Sequence, residues 1–419
     1  MTTGEPDGAW LQLARVMRVD ADGLVVYGGG RRTARVPWPN GVQRAIRTGD
    51  LVRVTADAVE VVTRPRLDAA FPQQDGDFAW FAADDGLRFR MVEARAVLLR
   101  AVRQFFHTRG FLEVDTPAIA TSPGLELHLD AVQVRLREGM GGAPVKRWLV
   151  TSPEYHCKRL LSAGFTRIFS LGKAFRSGER GGHHNPEFTM LEWYRADADY
   201  RDIVRDVRAL VRFVAEAVQR ACPPDPAPGV HPLEPRAPWQ TLTVRAAVRK
   251  YAGFDIGHGD DDALVRQRAL ETKLDVRPTD TAADVVMRAL VERVEPLLLS
   301  APGTILTEWP LAMASLARVS PERPHVAERF EVYLLGVEIA NGFSELTDAV
   351  EQRARLVSDQ RARWRTRKPV YPLDERFLAA LAEGLPPSAG VALGIDRLLL
   401  VVTGRANLDE VLAFPFERA

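Results

Sequence analysis

Hydrophobic and polar positions follow one rhythm up to about residue 66 and another beyond it. The first stretch holds short runs rich in Val, Leu and Thr at 11–19, 24–27, 33–36, 51–55 and 59–62, separated by the turn formers DADG, GGG, PNG and TGD. β-Branched runs broken by Gly, Asp and Pro read as strands and turns. Five of them in so short a span predict a small OB-like β-barrel over residues 1–66. The stretch 67–86, which opens LDAAFPQQDGD, reads as a linker.

From Arg88 the spacing becomes helical. Met91, Ala94, Leu98, Ala101 and Phe105 form a stripe, widened by Val97, Val102 and Phe106, and Gly110 stands where a helix ends. FLEV then predicts a strand stopped at Thr116–Pro117, and a second helix is expected over about 200–220. Seven prolines between Pro223 and Pro238 exclude any regular element there. The last third alternates strands (330–335, 391–393) with helices (348–365, 374–383). The whole is an α+β chain with its larger domain over 87–419.

Charge narrows the options. Lys plus Arg number 56 and Asp plus Glu 55, a net +1, which argues against coating nucleic acid or an anionic membrane as the main task. Cys157 and Cys222 are too few for a disulfide framework. The N-terminus has no basic and apolar leader pattern, and no apolar run reaches the roughly 18 residues of a membrane span. A cytoplasmic protein is expected.

Candidate chemistry lies in four segments. Arg176 and Arg397 stand in the apolar runs IFSLGKAFR and VALGIDRLLL, where an unpaired guanidinium is costly. Two arginines converging on one pocket would clamp a phosphate, with Gly390 and Gly394 letting backbone approach a ligand. Buried arginine–carboxylate bridges, with Asp396 at hand, are the plainer alternative. Glu331, at the start of a strand run, and Glu338, after the turn at Gly336, would suit Mg²⁺ with polyphosphate if they converge; solvated edge carboxylates are the alternative. Glu192 and Tyr194, two apart on a strand, share a face. With Glu154 and Glu345 they make a cluster suited to a cationic ligand such as a diamino acid, or to ion pairs with the many arginines. His183 and His184 read as loop residues near phosphate, not metal ligands, and Cys157 as structural.

Together these segments resemble the signature motifs of class II aminoacyl-tRNA synthetases of the lysyl subgroup: GFLEVDTP (110–117) motif 1, FR at 175–176 with HNPEFTMLEWYR (184–195) motif 2, GVALGIDR (390–397) motif 3. Within that subgroup the chain is more similar to the stand-alone paralogues that ligate (R)-β-lysine to elongation factor P. TSPEYH (151–156), Ser152, Ala392 and the mere 22 residues beyond Arg397 carry that likeness.

The resemblance implies an ATP-dependent, AMP-forming ligase that uses Mg²⁺, acts on (R)-β-lysine or lysine, and takes elongation factor P as acceptor; tRNA is not expected as acceptor, and a homodimer is. It places Arg176, Ser177, Gly178, Glu179, Asn185, Phe188, Glu331, Val332, Gly394 and Arg397 around ATP, with Arg176 and Arg397 catalytic. Glu331 and Glu338 would hold the metal. Ser152, Pro153, Glu154, Glu192, Tyr194, Glu338, Asn341, Glu345 and Ala392 would surround the amino acid. Two departures stand out. Where the subgroup runs Arg-x-Glu, Arg176 is followed by Ser177, Gly178 and only then Glu179. Where the loop usually carries an arginine, this chain has Gly181–Gly182–His183, with Arg180 as a substitute phosphate clamp. The competing readings are a compact lysyl-tRNA synthetase, whose barrel would read an anticodon through Trp10, Tyr27, Trp38 and Arg15, Arg18, Arg31, Arg32 and Arg35, and a non-catalytic amino-acid sensor.

Overall fold

The computed structural model describes residues 13–28, 32–38, 46–55, 58–65, 76–137, 139 and 141–419. It divides into two compact units, Met1–Val97 with Asp409–Phe414, and Leu98–Leu408 with Pro415–Ala419.

In the first unit, β1 (Ala14–Asp20), β2 (Gly23–Gly28), β3 (Arg32–Pro37), β4 (Leu51–Val54) and β5 (Val59–Thr63) pair in the order β3-β2-β1-β4-β5. All the pairings are antiparallel. Three hairpin-linked strands with a fourth returning beside the first is a Greek key, and the small sheet is OB-like. Alternate residues Ala14, Val16, Leu24, Val26, Val52 and Val54 point into its core. Trp10 and Arg31 lie outside the described residues. The other aromatic candidates are engaged within the unit: Tyr27 stacks on Phe89 at 3.8 Å, and Trp38 donates through Nε1 to Asp20 O. Arg18 and Arg35 meet Asp20.

The expected linker is helical from Asp77 onward, in α1 (Asp77–His107). Gly86 and the adjoining Asp84–Asp85 suggest a break, but the helix runs through Gly86, which takes φ 74°, a left-handed value that suits glycine. What holds this extension is aromatic packing absent from a 3.6-residue stripe: Phe81 against Phe89 and Phe414, and Trp80 Nε1 donating to Ala413 O.

The second unit is built on an eight-stranded sheet. Its strands are β6 (Leu112–Glu113), β10 (Arg167–Phe175), β11 (Glu187–Ala196), β12 (Trp239–Thr243), β13 (Gly303–Pro310), β14 (Val326–Leu334), β15 (Val337–Ser344) and β16 (Ser388–Gly394), in the order β12-β13-β14-β15-β16-β11-β10-β6. The pairings are antiparallel except at the two edges, where β12–β13 and β6–β10 are parallel. A small side sheet pairs β7 (Ile119–Ala120), β9 (Pro144–Leu149) and β8 (Gln133–Arg137).

Helices supply both layers. α3 (Tyr200–Ala221), opened by a capping box at Asp199 and Asp202, and α10 (Ile395–Thr403) pack on the central strands. α2 (Glu154–Ser162), α8 (Ala349–Arg365) and α9 (Glu375–Gly384) form a second core, in which Tyr155 stacks on Phe377 at 4.3 Å. α4 (Val244–Ala247), α5 (Asp262–Glu271), α6 (Ala282–Ala289) and α7 (Glu295–Leu298) bury a third against Leu306 and Trp309. No regular element lies between Cys222 and Pro238. Among the described residues no helix is long and apolar enough to cross a membrane.

Candidate active site

The sheet register puts the candidates in rows. Glu331, Asn341, Ala392 and Glu192 lie directly opposite one another across β14, β15, β16 and β11. The next row runs Arg329, Phe343, Gly390 and Tyr194. Paired residues in adjacent strands share a face, so one side of the sheet carries both rows. Glu338 joins them through a bulge. The register shifts between Val332 and Tyr333, so that Tyr333 faces Glu338, and one extra residue inverts the alternation of a strand. Glu331 lies in the body of β14, not at its start.

At the β11 end the side chains form a buried polar network. Glu192 accepts from Ser152 Oγ at 2.6 Å and from Tyr194 Oη at 2.7 Å. Burial, with the nearby Glu154 charge, lifts its carboxyl to about 8 even though both hydroxyls favour the ionised form. Ser152 Oγ also accepts from Glu154 N, fixing the start of α2, to which Pro153 is the preceding residue. Glu345 is likewise pushed to about 8, mainly by burial, and its Oε1 has no hydrogen-bond partner. Lys158, fully buried, reaches Glu154 Oε1 at 2.5 Å and Glu345 Oε2 at 2.6 Å. Burial works against its charge, but the two carboxylates outweigh it and raise its pKa above the ordinary range. Gly390 makes room for this network: a Cβ there would meet the Tyr194 ring at 2.3 Å and Glu345 Oε1 at 2.9 Å.

The other end is more open. Arg397 donates from Nη1 to Glu338 O at 2.7 Å, from Nε to His183 O at 3.0 Å, and from Nη2 to His184 Nε2 at 2.8 Å. Burial and the adjacent Arg397 charge hold the His184 pKa below normal. Since arginine can only donate, Nε2 is the acceptor and the neutral ring carries its proton on Nδ1. Arg176 lies 5.0 Å from the Phe188 ring centroid and 3.8 Å from Glu179, and its buried Nε has no partner. Ser177 donates its N–H to Asp130 O, and Gly178 takes φ 81° in the turn that follows. Asn185 Nδ2 donates to Glu187 O, leaving the buried Oδ1 unpartnered. Asp396 accepts from Thr189 N, fixing the start of α10 against β11.

Glu331 receives Arg329 Nη2 at 2.6 Å and Tyr333 Oη at 2.8 Å. Burial and the Glu338 and Glu295 charges lift it to about 7 in spite of Arg329. Arg329 Nε also donates to Asn341 Oδ1 at 3.3 Å. Crowded carboxylates of this kind favour a cation. Among the described residues no three His, Cys, Asp or Glu side chains form a metal cluster; Glu331 is paired with Arg329 and Glu338 lies beside Arg397, so a metal placed here would need most of its ligands from phosphate and water.

The family model for class II tRNA synthetases (D, K and N) matches residues 87–418. The elongation factor P–(R)-β-lysine ligase of Proteus mirabilis is 39% identical over 329 residues, 78% of this chain and 94% of that protein. The chain belongs to the class II tRNA synthetase family. The ligases of the same name from Erwinia tasmaniensis, 39% identical over 77% of this chain and 94% of theirs, and from Avibacterium paragallinarum, 37% identical over 78% and 95%, place it in their branch.

Set against this family frame, several expected residues take other positions or partners than their motifs suggest. Arg180 is engaged by Glu417 in a two-bond pair at 2.7 and 2.6 Å. Gly394 leaves open space beside it, with only Arg397 side-chain carbons near 3.8 Å, while the close approach belongs to Gly390. Val332 has a fully buried side chain, so only its backbone is available to a ligand. Cys157 is buried and unpaired by disulfide. Two groups were missed. Glu295, 3.3 Å from Tyr333 Oη, joins the Glu331 side from a distant helix, with no linear signal. Lys158 is hidden by its spacing: four residues after Glu154 on a helix, it reads as a solvent-exposed ion pair.

Proposed function

We propose that this protein activates a diamino acid, (R)-β-lysine or lysine, with ATP and transfers it to a lysine side chain of elongation factor P. The observation that carries this reading is the row of Glu192, Ala392, Asn341 and Glu331 on one sheet face, with the buried acidic network around Glu192 and with Arg397 held against Glu338 of β15. The carboxylates suit ammonium groups and the arginines suit phosphates.

In the first step an oxygen of the substrate carboxylate attacks the α-phosphorus of ATP, and pyrophosphate leaves. Arg176, stacked by Phe188, stabilises charge on the transferring phosphorus centre, while Arg397 exchanges its backbone and His184 contacts for the outer phosphates. Mg²⁺ held by Glu331 and Glu338 would neutralise phosphate charge. Asn185 and the backbone of Val332 face the adenine, with Ser177, Gly178 and Glu179 at the motif 2 turn and Gly394 under the nucleotide. Glu154 and Ser152 take the amine nearest the carboxylate; Glu192 and Tyr194 hold the distal one, and Asn341 and Ala392 line the floor. In the second step the acceptor ε-amine attacks the acyl carbon, AMP leaves, an amide forms and a proton is released. No side-chain nucleophile is required, because positioning and charge neutralisation supply the rate. The protein acts as a homodimer through its motif 1 segment.

The test is the intact mass of elongation factor P after incubation with this protein, Mg²⁺, ATP and either amino acid. The expected result is a gain of one aminoacyl unit. No gain, together with rapid charging of tRNA with lysine, would overturn the choice of acceptor.

A further inference from the structure

Lys158 has no part in the reading above, yet it bridges two of the carboxylates assigned to the amino-acid pocket. Four carboxylates crowd this region: Glu154 on α2, Glu192 on β11, Glu345 just past β15, and Glu126 beside Ser152 and Glu154. Glu154 and Glu345 are already tied to Lys158, at 2.5 and 2.6 Å. Its ammonium is covered by the Phe343 ring, 5.1 Å away, and the Phe377 ring, 5.9 Å away. The two tied carboxylates differ. The Glu154 side chain keeps 13% of its surface open, while Glu345 and Lys158 have none. Glu192 differs again, because its partners are the neutral hydroxyls of Ser152 and Tyr194 and no cation is bonded to it.

We propose that Lys158 is a positioning residue for the amino-acid pocket: a resident ammonium, shared between Glu154 and Glu345, that neutralises one of that pair and leaves the open oxygen of Glu154 for one ammonium group of a diamino acid, whose other ammonium meets Glu192. Glu345 then acts through Lys158 and does not touch the substrate. It draws Lys158 away from Glu154, keeping the second oxygen of Glu154 available. Without Glu345 the buried ammonium would pair with Glu154 alone and compete with the substrate amine. This inference rests on the pocket reading of the previous subsection.

The test is a cycle of Glu345→Gln, Lys158→Met and the double variant, read by ATP–pyrophosphate exchange with lysine and (R)-β-lysine. Glu345→Gln is expected to raise the amino-acid KM by about tenfold to a hundredfold, as loss of a buried charge partner does, with kcat and the KM for ATP nearly unchanged. Lys158→Met leaves Glu345 buried without a counter-charge and lowers thermal stability. The double variant removes the pair together, a change that buried ion pairs often tolerate, and recovers both stability and an amino-acid KM within about threefold of the wild type. A double variant as impaired as Glu345→Gln would overturn the proposal, since Glu345 would then hold the substrate itself. If Lys158→Met does not fold, the double variant against Glu345→Gln decides alone. Wild-type protein that exchanges pyrophosphate with no diamino acid would sink the pocket reading instead, whatever the variants do.

Discussion

The two ends of the sheet face solve opposite problems. At the acidic end Glu192 and Tyr194 are buried and bonded to each other, Ser152 donates to Glu192, and the buried Lys158 is held by Glu154 and Glu345. At the arginine end Arg176, just past β10, and Arg397, on α10, are partly exposed, and their partners are backbone carbonyls, a neutral histidine and the loosely placed carboxylates of Glu179 and Glu338. The first end is built before any ligand arrives, as recognition of a small cation requires when an unpaired buried charge is so costly. The second keeps its charges on partners that can be exchanged, as suits a polyphosphate that must enter and leave.

The contrast can be broken most severely at the open end. Arg397→Ala is expected to lower ATP–pyrophosphate exchange by about 10²–10³-fold or more, with unchanged circular dichroism. Exchange at the wild-type rate would remove Arg397 from the phosphate site.

A second prediction concerns stability at the closed end. The folded pKa of Glu192, about 8, lies above its ordinary value of 4.5. The folded state therefore binds the proton more tightly than the unfolded chain. Its contribution is present below about 4.5 and is lost as pH rises toward 8. Glu192→Gln should flatten the fall in melting temperature between pH 5 and 8 and leave the ligand-free variant more stable than the wild type at pH 8. Parallel melting curves for the two proteins would show that Glu192 is not buried as described.

The smallest effect is expected from Tyr194→Phe, which removes one hydrogen bond to Glu192. It should weaken the preference for a diamino acid over its monoamino analogue by about five- to tenfold, read as the ratio of kcat/KM values. An unchanged ratio would move the distal amine elsewhere.

How legible each end is in the sequence follows the same division. The arginine end is carried by contiguous motifs, because phosphate contacts draw on loops and turns where neighbours in sequence are neighbours in space. The strands of the first unit and the stripe from Met91 to Phe105 were equally plain, since period and composition agree there. The acidic end depends on register. That Glu192, Ala392, Asn341 and Glu331 form one row is fixed by pairing between strands up to two hundred residues apart. Lys158 was masked by a spacing typical of exposed helices. The helix over 77–86 carries no apolar stripe of its own, and its aromatic packing, Phe81 against Phe89 and Phe414, has no periodicity to be read.

The bulge between Val332 and Tyr333 has a consequence for how this region can change over time. Side-chain replacements along β15 alter one contact each, but adding or deleting a single residue there reverses the parity of every position beyond it. Glu338 would trade places with a core residue and the carboxylate pair would be lost at a stroke. Length, more than chemical identity, is thus the frozen variable in β15, and lineages of this protein should tolerate insertions at the β8–β9 turn while keeping the span from Glu331 to Glu338 constant. Aligned sequences in which that span varies, yet activity persists, would show that the bulge can be re-formed elsewhere.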